Sequence, residues 1–72
     1  PPLKASDVFS LLKDGTREAQ TDILESAVAA EKITRGGVAI VLRALNRVEK
    51  IDREDSMLVE VLEAIGRRMI ER

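Results

Sequence analysis

At 72 residues the chain has room for one small domain; it is 44% apolar and 35% charged, with a formal net charge of −1. It has no Cys, His, Trp or Tyr, and Phe9 is its one aromatic residue, which excludes disulfides, thiolate metal sites and thiol redox chemistry. The lack of His also removes the commonest general base and metal ligand.

No run approaches the roughly 18 apolar residues of a membrane span, and the first residues carry no signal-peptide pattern. The expectation is a soluble, intracellular chain that begins Pro1-Pro2-Leu3 because it was cut from a longer protein or processed. A domain of this length buries only about 60% of the surface of its unfolded chain. Stability must therefore come from well-packed helices, from a partner, or from both.

Residues 1–5 read as an N-terminal extension. Ser6 or Asp7 is placed to cap a short first helix ending near Leu12 or Lys13, with Val8, Phe9, Leu11 and Leu12 on its apolar side. Asp14-Gly15 breaks that pattern, and Thr16 can accept from the free amides of the next helix. The second helix should run from about Arg17 to Glu31, with Ala19, Ile23, Leu24, Ala27 and Ala30 at steps of three and four.

The third helix starts at Thr34-Arg35-Gly36-Gly37 and runs to about Lys50. Ile40, Val41, Leu42, Leu45, Val48 and Ile51 fill a broad arc, a width that suggests a central, heavily buried helix. The glycines at its start suit a plain helix entry or a close crossing of helices two and three. A phosphate loop would need a preceding strand and a longer glycine pattern. The fourth helix follows Asp52, with Asp52, Glu54 and Asp55 near its positive end and Arg67, Arg68 and Arg72 near its negative end. Its main stripe is Met57, Leu58, Val61, Leu62, Ile65 and Met69.

No alternating strand pattern is present. Four helices with short links predict an all-α, compact, antiparallel up-and-down bundle. The halves show no repeat that would mark a solenoid.

Catalysis has little to stand on. Ser6, Ser10, Ser26 and Ser56 have no His to activate them, and Glu60 and Glu63 read as a solvated helix face. No catalytic residue, cofactor site or metal site is expected.

Two surfaces are candidates for partners. Arg43, Arg47 and Lys50 lie within about 60° of one another on the helical wheel, opposite the apolar arc, with Arg35 at the edge. Such a stripe suits ion pairs with neighbouring helices, an acidic protein partner, or nucleic acid in the manner of a recognition helix. The near-neutral net charge and the lack of an aromatic platform argue against nucleic acid.

The second surface is on helix four, where Val59, Leu62, Gly66 and Ile70 share one side. A mid-helix glycine costs about 1 kcal/mol relative to Ala, and Gly66 could admit a partner helix at short distance or let the helix pack on two sides within its own bundle. The expected function is a non-catalytic protein–protein interaction module of a larger regulatory, scaffold or effector-like protein. It would bind another protein or itself as a homodimer, with a small nucleic-acid-binding or transcription-regulatory domain as the alternative.

Leu45 lies at the centre of the third helix's arc. Leu45→Ala should cost about 2–5 kcal/mol by thermal or denaturant unfolding, and a loss below about 1 kcal/mol would place the core elsewhere.

Overall fold

The start of the first helix follows from Leu3 and Lys4 rather than from Ser6 or Asp7. In the computed structural model, which describes residues 3–70, α1 runs Ala5–Asp14. Lys4 is its N-cap and offers no side-chain bond to the free amides; Asp7 instead lies in the first turn, where a carboxylate favours the dipole. Leu3 packs on the core and Ala5 is buried in it, so these two residues belong to the fold rather than to an extension. Pro1 and Pro2 lie outside the described residues.

α2 spans Arg17–Ala29, and Thr16 caps it as its position implied, accepting from the Ala19 amide at 3.0 Å. Its end comes two residues earlier than the periodicity suggested. Glu31 adopts φ 59°, and the Lys32 and Glu31 amides donate to the Ala27 and Val28 carbonyls, both at 2.9 Å. That crossed pair is a Schellman ending, here with Glu where glycine is usual. α3 spans Arg35–Arg47, capped by Thr34 through the Gly37 amide at 3.1 Å. It stops before Lys50 because Val48 is already extended. α4 spans Ser56–Ile70, and Asp55 caps it, its carboxylate accepting from the Leu58 amide at 3.2 Å. Arg72 is outside the described residues.

The result is an all-α bundle of four helices, with no strand among the described residues. Its centre is α4, not α3. α4 packs against each of the other three helices, whereas α1 with α2 and α2 with α3 touch only slightly. From Ala64 round through Ile65, Leu58 and Leu62 to Val59, its buried or half-buried residues cover roughly 220° of the wheel. α3 buries a narrower face through Gly37, Val41 and Leu45, while Leu42 is exposed and Ile40 half-buried. Leu45 is 7% exposed and sits in the core as expected.

Two glycines lie in the contacts around α4. A β-carbon on Gly66 would stand 3.1 Å from the Val8 side chain and 3.4 Å from Leu3, so α1 and its lead-in lie against this glycine. One on Gly37 would make ordinary contact with Val61 at 3.4 Å, so this glycine faces α4 rather than α2.

Helix ends are tied to neighbouring elements by side chains. Lys13 of α1 donates from Nζ to the Leu45 carbonyl at 2.7 Å and the Val48 carbonyl at 2.9 Å, closing the C-terminal end of α3. Gln20 of α2 does the same for α1 through the Leu12 carbonyl at 2.8 Å. Arg68 of α4 donates to the Ser26 hydroxyl of α2 at 3.2 Å.

The Lys13 bonds join charge to carbonyls that have no helical partner, and one of them is open to solvent. Lys13→Met, which keeps the stem and removes the donor, should cost about 1–2 kcal/mol. That is a fall of at least about 4 °C in Tm for a domain of this size, checked by thermal unfolding.

Candidate protein-binding face

On α3, the four cations expected to form one stripe divide into two groups. Arg35 projects toward α2, where its guanidinium meets the Glu25 carboxylate in a forked pair of 2.8 and 3.2 Å. Both side chains are largely exposed, so the pair adds about 0–1 kcal/mol and mainly occupies Arg35. Arg43, Arg47 and Lys50 are exposed, and none forms an ion pair or hydrogen bond with another described side chain. Their charge is left to solvent or a partner.

These three cations edge a groove of about 540 Å³ between the C-terminal half of α3 and the start of α4. Ile40, Ala44 and Val48 form an apolar row beside the cationic one, and Met57 and Leu58 stand opposite. Met57 is 64% exposed, the largest exposure among the large apolar side chains described. Asp52 and Asp55 close the end of the groove. Each of these carboxylates already accepts a backbone N–H, Asp52 from Glu54 at 2.9 Å and Asp55 from Leu58 at 3.2 Å.

A second groove, of about 570 Å³, lies between α1, the 48–55 loop and α4, with Phe9, Ile51 and Val59 on its apolar side. Lys4, Lys50 and Arg53 share its rim with Glu49 and Glu63, and its cations come from the lead-in to α1 and from the 48–55 loop rather than from one helical row.

The apolar side expected on α4 is not a contiguous exposed strip. Leu62 is fully buried and Gly66 is covered by Val8 and Leu3 of the same chain. Val59 is half-buried, and of the four only Ile70, 53% exposed, faces solvent freely. α1 occupies the place in which a partner helix was expected, which accounts for the small residue at 66. Glu60 and Glu63 are exposed, and no group of three or more Asp or Glu side chains converges among the described residues. Among the described residues no helix is long and apolar enough to cross a membrane.

In the sequence, Ile40 and Val48 fall within the apolar arc of α3 and Met57 within the main stripe of α4, while Ala44 belongs to neither. The four-residue spacing of Ile40, Ala44 and Val48, parallel to Arg43 and Arg47, is the signal that distinguishes the row. No protein-family model, characterised protein or solved structure matches the chain.

The two α4 positions should separate in a stability measurement. Gly66→Leu forces a large side chain against Val8 and should cost about 2–3 kcal/mol or more. Ile70→Glu, at an exposed position, should stay within about 0.5 kcal/mol. Equal small effects in thermal unfolding would mean that α1 does not hold the Gly66 side.

Proposed function

We propose that this domain is a non-catalytic interaction module that binds another protein through the α3 cations and the groove beside them. The observation that carries this reading is the juxtaposition of Arg43, Arg47 and Lys50, all without internal partners, with an apolar groove that the exposed Met57 lines from α4. Apolar surface supplies most of the driving force in protein association, and rim charges add rate and selectivity. A nucleic-acid surface made of the same cations is less well supported. Phosphates gain nothing from Ile40, Val48 and Met57. Within a larger protein, such a module would serve to recruit or hold a regulatory partner.

The test is a photo-crosslinking residue at Met57 in cells, with and without Arg43→Glu plus Arg47→Glu. The expected result is a protein adduct that the double reversal removes, while the thermal midpoint changes by less than the equivalent of about 0.5 kcal/mol. A nucleic-acid adduct, or capture indifferent to the reversal, would overturn the reading.

A further inference from the structure

Two rows run side by side along the same stretch of α3. Arg43 and Arg47 are four residues apart, one helical turn or about 6 Å along the axis. Ile40 and Ala44 repeat the same interval on the flank facing α4, and Val48 continues their row where the helix ends. Lys50 extends the cationic edge past the end of α3, and Met57 closes the groove from the first turn of α4. A partner helix laid along α3 presents its own side chains at that interval, about 6 Å per four residues, in register with both rows.

The sign of the charge narrows the occupant. Three cations without side-chain partners and two carboxylates line the groove, an excess of one positive charge, with the cations along α3 and its continuation and the carboxylates in the loop before α4 and at its cap. The uncompensated sign of the α3 edge is positive. Building on the interaction reading above, we infer that the groove receives an acidic amphipathic helix of a partner protein. That helix lays an apolar row against Ile40, Ala44, Val48 and Met57 and sets carboxylates one turn apart against Arg43 and Arg47.

Both partners gain from this arrangement. The apolar row leaves water, and Arg offers a planar fork that takes a carboxylate in two hydrogen bonds. A basic helix would bring like charge to the same edge, so discrimination between the two is built into α3.

Two synthetic peptides of about 18 residues, or five helical turns, test the inference. They share one Leu row and differ in carrying Glu or Lys beside it. Each is titrated into the isotopically labelled domain while backbone amide shifts are followed. The Glu peptide should move the amides of Ile40, Ala44, Arg47, Val48 and Met57 and bind at least about tenfold more tightly than the Lys peptide. Arg43→Glu plus Arg47→Glu should weaken the Glu peptide by about tenfold or more and invert the preference. Met57→Ser, at an exposed position that leaves the fold intact, should weaken both peptides.

Failure of the Glu peptide to bind, equal binding of the two, or shifts confined to the Phe9–Ile51 groove would overturn the inference. So would concentration-dependent movement of the same amides without peptide, with sedimentation showing a dimer, since the occupant would then be a second copy. If the Glu peptide fails while the Met57 crosslink still captures a protein, the acidic helix alone is wrong. If both fail, the interaction reading falls with it.

Discussion

Everything in this bundle depends on how closely α1 and α3 approach α4. Gly66 stands where a β-carbon would press on Val8, a side chain branched at the β-carbon with little freedom to turn aside, while Gly37 faces Val61 at ordinary contact distance. At position 66 the chain accepts the helix cost of glycine, about 1 kcal/mol relative to Ala, and gains a close approach of α1 in return. In a domain with one Phe and no larger aromatic, close approach is the available route to dense contact. Leu12, Leu62, Ile65, Val8 and Val41 are the largest fully buried side chains, and they come from the three helices that this spacing brings together.

The same constraint explains the polar organisation. No polar or charged residue is buried among those described, so the interior contributes no directional bonds of its own. Direction comes from the helix ends. Thr16, Thr34 and Asp55 satisfy free amides locally, and Lys13 and Gln20 reach across to carbonyls at the ends of α3 and α1. Each long-range bond fixes one helix end relative to another element, a task that interchangeable aliphatic contacts perform poorly. Burial holds the helices together, and these end contacts set where each one stops.

What could be read from the sequence follows from this division. Helix number and type, the Thr16 cap and the burial of Leu45 depend on local pattern and were legible. The centre of the bundle was not, because both α3 and α4 present wide apolar arcs. The two arcs differ in what lies beyond them: α3 ends at Arg47, leaving Val48 and Ile51 in a loop, whereas α4 stays regular through Ile70. The side of α4 around Gly66 is ambiguous in the sequence for a related reason. A glycine flanked by apolar residues marks a close helix contact, but its spacing does not distinguish a partner in the same chain from one in another. The division of the basic stripe was equally hidden, since the pairing of Arg35 with Glu25 depends on how α2 and α3 meet in space.

That division bears directly on function. Arg35 is spent within the fold, and the three cations left over are those beside Ile40, Ala44 and Val48. Apolar side chains at a surface are ordinary when scattered singly, but here they are aligned with unpaired charge along one groove. The bundle could have covered this row by continuing α3 past Val48, or by beginning α4 earlier across it. Instead the 48–55 loop turns away, with Asp52 and Asp55 engaged in shaping the turn and the start of α4. A helix laid in the groove would cover apolar surface that the four helices leave open. Any ligand that binds only the folded form also stabilises it by mass action. In a bundle of this size that contribution would be a sizeable fraction of the total stability, so folding and partner binding would be thermodynamically linked.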